Sequence, residues 1–156
     1  LKSYQPLPHR LQPLGEKDGI KYYDDSISTI CETTIQALNT LKDVDTVLIG
    51  GMDRGIDYSE LINFLSGHKV PHIILMEATG KRILEEILNG YPDFQDKDRL
   101  VLTDHLEDAV AKAKELTRPG HSCLMSPAAA SYGIFKNFEE RGEVFARLVS
   151  GSDKLM

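Results

Sequence analysis

Arg54 lies in a glycine-bearing run, Gly50-Gly51-Met52-Asp53-Arg54-Gly55-Ile56-Asp57, directly after the apolar segment 45–49. A guanidinium there presents a planar fork that matches a carboxylate or a phosphate. Such a loop can also do no more than turn the chain from strand to helix. A second run, SPAAASYGIFKNFEERG beginning at Ser126, sets small residues Ala128, Ala129, Ala130 and Ser131 together, where a ligand could approach the backbone closely. Ser131 adds a hydroxyl, and Phe135 and Phe138 lie three apart; the alternative is a tight crossing with two core phenylalanines. A third group bunches Asp24, Asp25, Ser26, Ser28 and Thr29 at a strand end and helix start. Hydroxyls there cap helices, and a helix N-terminus also favours anions, so capping and carboxylate binding are compatible.

The chain lacks both the GxxxxGK[ST] phosphate loop and the GxGxxG dinucleotide fingerprint. Its five histidines show neither metal-ligand spacing nor a triad partner, and no metal site is expected. Cys31 and Cys123 stand far apart with no CxxC pair, so buried structural thiols in a reducing cytoplasm are expected. From the residues alone this is an anion-friendly rim with no catalytic engine of its own.

Short apolar runs and helical patterns must position that rim. Strands are expected near 20–25, 45–49, 71–76, 99–103 and 121–125, with helices near 29–42, 58–67, 79–89, after Asp104, and at 136–149. Thr29 with Glu32 reads as a capping box, Asp57 with Glu60 as another, and Asp104 as the cap of the fourth helix. Apolar rather than alternating strands, five times followed by a helix, predict an α/β, Rossmann-like three-layer domain. Its mostly parallel sheet would have five to six strands and helices on both faces. Ligands in such sheets bind at the carboxyl ends of the strands, here the loops 25–29, 50–57, 76–80, 103–105 and 126–138.

At 156 residues and 41% hydrophobic content the chain suits one domain. Eighteen basic against twenty-four acidic residues, a net charge of −6, argue against nucleic acid or an anionic membrane as partner. No apolar stretch is long enough to span a bilayer. Pro6, Pro8 and Pro13 mark residues 1–14 as an extended linker. A domain at 15–150 and a tail at 151–156 would follow, in a piece of something longer.

Three segments together resemble the C-terminal domain of the Mur ligases, in the branch that joins glutamate to UDP-N-acetylmuramoyl-L-alanine. They are LPHR (7–10) followed by GIKYYDDSISTICETTIQAL (19–38), LIGGMDRGIDYSEL (48–61), and LMSPAAASYGIFKNFEERGEVFARL (124–148). The last is the most specific, and order and spacing fit over about 4–149. The resemblance implies a monomeric, cytoplasmic three-domain enzyme of peptidoglycan synthesis. ATP turns the nucleotide substrate's carboxylate into an acyl phosphate, and the amine of glutamate displaces the phosphate. The resemblance places the phosphate loop and magnesium in a central domain and the UDP sugar in an N-terminal one; this domain is a lid that presents the amino acid. By position it implies Thr29, Arg54, Ser131, Tyr132 and Phe138 at the glutamate, Arg10 and Asp25 facing ATP at the domain boundary, and no catalytic group within this chain. Several positions depart from the family pattern: Ile27 and Ile30 stand for a lysine and an asparagine, and Tyr132 for a leucine. Arg54 replaces the usual lysine. Other readings are a free-standing Rossmann-like binding module and a domain of the polyglutamate-adding folate ligases.

Overall fold

The structure, a computed structural model, describes residues 7–151. Its strands are β1 (Gln12–Lys17), β2 (Ile20–Asp24), β3 (Val44–Gly50), β4 (His72–Met76), β5 (Leu100–Thr103) and β6 (Ser122–Met125). Its helices are α1 (Cys31–Thr40), α2 (Ser59–Gly67), α3 (Glu77–Gly90), α4 (Leu106–Leu116) and α5 (Phe138–Ser150). The six strands form one sheet in the order β1-β2-β6-β3-β4-β5, and every pairing is parallel except β1 with β2. This is the α/β Rossmann-like architecture that the five strand–helix repeats predict.

Strand β1 was not expected. Residues 12–14, assigned to the linker, begin an antiparallel edge strand that turns into β2 through Asp18 and Gly19. Pro13 is tolerated because the strand is at the sheet edge, and the register shifts between Pro13 and Gly15. The rest of the expected linker up to residue 6, and the tail from 152, lie outside the described residues.

Period-two alternation sends side chains to two cores. Val47, Ile49, Ile73 and Leu75 pack with α1, α2 and α3, while Leu48, Ile74, Met76 and Cys123 pack with α4 and α5. Every residue of β3 is buried, as a central strand covered on both faces must be. Cys31 and Cys123 are buried free thiols, and burial pushes both pKa values up.

All three expected caps differ. Helix α1 starts at Cys31 with Ile30 in the cap position and no side-chain cap bond, so Thr29 and Glu32 form no capping box. At α4 the cap is His105, not Asp104, and the Asp108 carboxylate accepts from the His105 N–H at 3.3 Å. Asp57 does accept from the Ser59 N–H at 2.9 Å, with Tyr58 in the cap position of α2.

The connections β2→β3→β4→β5 step one way across the sheet, and β6 returns to insert between β2 and β3. Helices change face at that reversal, so the neighbours β3 and β6 send α2 and α5 to opposite sides. A crevice at the carboxyl ends of such a pair is where doubly wound sheets take ligands.

Candidate functional site

Three loops meet at this crevice. Met52 N–H donates to the Ala130 carbonyl at 2.9 Å, tying the β3–α2 loop to the β6–α5 loop. Ala128 N–H donates to the Ser28 carbonyl at 2.9 Å, and the Ser26 hydroxyl donates to the Phe138 carbonyl at 2.7 Å. Thr29, Arg54, Ser131, Tyr132 and Phe138 therefore sit on three loops that are bonded to one another.

Arg54 is exposed and makes no hydrogen bond or ion pair among the described residues. Its loop is nevertheless braced. Asp53 accepts from the Gly55 N–H at 3.0 Å and from Arg82 Nε of α3 at 3.0 Å, and Arg82 Nη2 donates to the Ile56 carbonyl. The Arg82 guanidinium also lies 5.1 Å over the Tyr58 ring, and burial pushes the Tyr58 hydroxyl up to about 12. The neighbouring charges are thus committed within the protein while that of Arg54 faces out, the arrangement an anion-binding cation needs.

Thr29 is half-buried just before α1. Tyr132 is exposed, and with Met52 and Ile134 it gives the mouth an apolar rim. Phe138 opens α5, half-buried edge-on to His9, whereas Phe135 packs on the α4–α5 core. Both are half-buried, and neither belongs to the fully buried core. Ala128, Ala129 and Ala130 are buried rather than open to a ligand, whereas Ser131, at 5%, keeps slight exposure at the end of the run. Their small size serves loop packing: the Tyr58 hydroxyl donates to the Ala128 carbonyl at 2.6 Å.

Asp25 is 2% exposed and its carboxylate accepts from the Leu11 N–H at 2.9 Å, Ser28 Oγ at 2.5 Å and Ser126 Oγ at 2.7 Å. Burial raises its pKa although these bonds and the Arg10 charge oppose the shift. Arg10 is exposed and lines a shallow hollow with Leu11, Asp25, Ile27 and Ser28. The structure brings Arg10 and Asp25 together, with Asp25 as the buried anchor and Arg10 as the exposed member.

Sequence reasoning missed three braces of this edge. Arg82 is one. His9, at a φ of 65°, is another: its Nδ1 meets Asp24 Oδ2 at 2.6 Å, its N–H donates to Gln12, and its carbonyl accepts from Ile27. Arg141 is the third, 2% exposed and bonded to Ser26 through Nε and Nη2. His9 lies in the LPHR segment and Arg141 in the run that begins at Ser126, but their roles were not readable there, since each of the three pairs with residues distant along the chain. Among the described residues no group of three His, Cys, Asp or Glu side chains is placed to hold a metal ion, and no helix is long and apolar enough to cross a membrane.

No family model matches the chain. The UDP-N-acetylmuramoylalanine–D-glutamate ligase of Thermoanaerobacter pseudethanolicus is 36% identical over 151 residues, covering 96% of this chain and 32% of that protein. The enzyme of the same name from Chlamydia caviae is 35% identical over 155 residues, covering 99% of this chain and 35% of its own. The chain thus spans about a third of the length of the curated relatives it matches. Among solved structures, the MurF ligase from Thermotoga maritima in complex with ADP superposes with a TM-score of 0.55 at 18% identity, covering 96% of this chain and 33% of that one. The resemblance to the Mur ligases holds over nearly the whole chain, and the structural likeness extends to the fold.

Proposed function

We propose that this chain, similar throughout to one third of the D-glutamate-adding Mur ligases, is the C-terminal domain of such an enzyme and presents glutamate to an acyl phosphate. The observation that carries the reading is Arg54: a guanidinium with no partner among the described residues, on a braced loop beside the crevice between β3 and β6. In this reading Arg54 and Thr29 hold one carboxylate of glutamate. Ser131 and the backbone at Phe138 receive the other, near the start of α5, where the helix dipole favours an anion. Tyr132 closes the mouth, and Arg10, anchored beside Asp25, faces ATP at the boundary with a central domain.

In this reading the triphosphate and magnesium are held mainly by a central domain, in keeping with the lack of a phosphate loop in this sequence. The domain's part is therefore to bind and orient. With both carboxylates pinned, the amino group of glutamate points at the carbonyl carbon of the acyl phosphate. Attack forms the C–N bond, the nitrogen gives up its proton, and the tetrahedral adduct expels phosphate to leave the amide. The activation step that yields ADP belongs to the partner domains, in a cytoplasmic reaction.

The test is made on the full-length protein with ATP, magnesium and UDP-N-acetylmuramoyl-L-alanine. Phosphate release should require glutamate and match, mole for mole, a product heavier by one glutamyl residue. Running D- and L-glutamate separately assigns the isomer. Phosphate release without glutamate, or a preference for another amino acid, refutes the reading.

A further inference from the structure

Two arginines of this domain are buried, and they are bonded differently. Arg99, at the amino edge of the sheet, is 8% exposed and spends Nε, Nη1 and Nη2 on the carbonyls of five residues, among them Leu65, His68 and Val70. Its donors are all used in closing that edge. Arg141, at the carboxyl edge, is more deeply buried, yet its Nη1 has no hydrogen-bond partner among the described residues. A buried cation left part-satisfied is costly, and a protein that merely needed a brace there would have completed it as at Arg99.

The surroundings of Arg141 are those of the three rims. Nε donates to Ser26 Oγ at 2.9 Å and Nη2 to the Ser26 carbonyl at 2.8 Å, and the same Ser26 hydroxyl donates to the Phe138 carbonyl. On the other side, a Cβ built on Gly51 would meet the Ala130 carbonyl oxygen at 2.6 Å and Nη1 at 3.2 Å, so the missing side chain there leaves room for both the loop crossing and the guanidinium at the end of β3. One side chain thus touches the β2 rim that leads to Thr29, the β3 rim that leads to Arg54, and, through Ser26, the start of α5 at Phe138.

We infer that Arg141 is a positioning residue for the amino-acid site: held on Ser26 and laid against Gly51, it fixes the spacing between the loops of Thr29, Arg54 and Phe138. The inference rests on the proposed glutamate site for its kinetic consequence, though not for its structural one. In the low-dielectric interior the guanidinium is charged at neutral pH and adds positive potential behind the crevice.

The test compares Arg141→Met with Arg99→Met in the full-length protein, by amide hydrogen exchange and by kinetics. Arg141→Met should speed exchange at residues 50–55 and 131–138 and raise the KM for glutamate roughly 10–100-fold, the scale on which ~1 Å of misplacement acts. The KM for ATP should stay within about twofold. Arg99→Met should lower the melting temperature and speed exchange at the amino edge, with the glutamate KM unchanged. Ser26→Ala should reproduce the Arg141→Met effect in milder form, and the double variant should be no worse than Arg141→Met alone. Where Arg141→Met does not fold, Ser26→Ala alone carries both readouts. Loosened rims in a protein that ligates no glutamate leave the positioning role standing and remove the ligase reading. Rims and glutamate KM unchanged in Arg141→Met, or in Ser26→Ala where it stands in, overturn the inference.

Discussion

Removing the Arg54 side chain separates binding from folding. The guanidinium is exposed and makes no hydrogen bond or ion pair among the described residues, so Arg54→Ala deletes no native contact. Surface substitutions of this kind stay within about 0.5 kcal/mol, or ~1–2 °C in melting temperature for a domain this size. The binding side is much larger. A hydrogen bond to a charged group contributes roughly 1.5–3 kcal/mol, and each ~1.4 kcal/mol is tenfold in an equilibrium constant. The KM for glutamate in the full-length protein should therefore rise about 10–100-fold, with the KM for ATP within about twofold. Arg54→Lys should fall between, since an ammonium keeps the attraction and loses the fork. Initial rates of phosphate release against glutamate concentration, at saturating ATP and nucleotide substrate, read the effect, and a thermal melt reads stability. An unchanged glutamate KM with a melting point several degrees lower would make Arg54 a structural residue and refute the reasoning.

Other outcomes follow from the same structure. A Cβ on Gly80 would meet the Leu75 backbone carbon at 2.6 Å and Leu75 Cα at 3.1 Å, so Gly80→Ala should push α3 off β4. The cost of about 1–3 kcal/mol outweighs the ~1 kcal/mol that alanine gains in helix propensity, and a melting point equal to wild type contradicts this. Asp25 has a raised pKa in the folded state, so folding binds its proton more tightly, and its contribution to stability falls as pH rises from 3.8 through the folded value. Asp25→Asn should therefore gain on wild type as pH increases across that window in paired melts; a flat or falling difference sinks the argument. The chain 1–156 by itself should fold, release no phosphate from ATP, and give little heat in calorimetry against millimolar ATP. A micromolar dissociation constant would favour a free-standing nucleotide-binding module instead.

The strand–helix alternation was legible because it is local: an apolar run such as 71–76 can only be a covered strand when helices flank it. Strand β1 was not, because Gln12–Lys17 has no apolar pattern and exists through pairing with β2. The caps at Ile30 and His105 overrode plausible sequence signals because tertiary packing sets where a helix can begin. At the site, Arg54 was readable from its type and its loop, whereas Tyr132 came only from the family resemblance; both are exposed. The braces were not readable, since Arg82 with Asp53, His9 with Asp24, and Arg141 with Ser26 are pairings made by the fold. The run Ala128–Ala130 misled in one respect, for small residues suit a close backbone crossing as well as a ligand, and here the backbone crossing fills the space.

The claim that the crevice between β3 and β6 takes an amino acid with two carboxylates is tested most directly by a crystal structure of the full-length protein soaked with glutamate. The account predicts one carboxylate about 2.7–2.9 Å from the Arg54 guanidinium and the other at Ser131 and the backbone of Phe138. Glutamate bound elsewhere, with Arg54 still pointing into solvent, would contradict it.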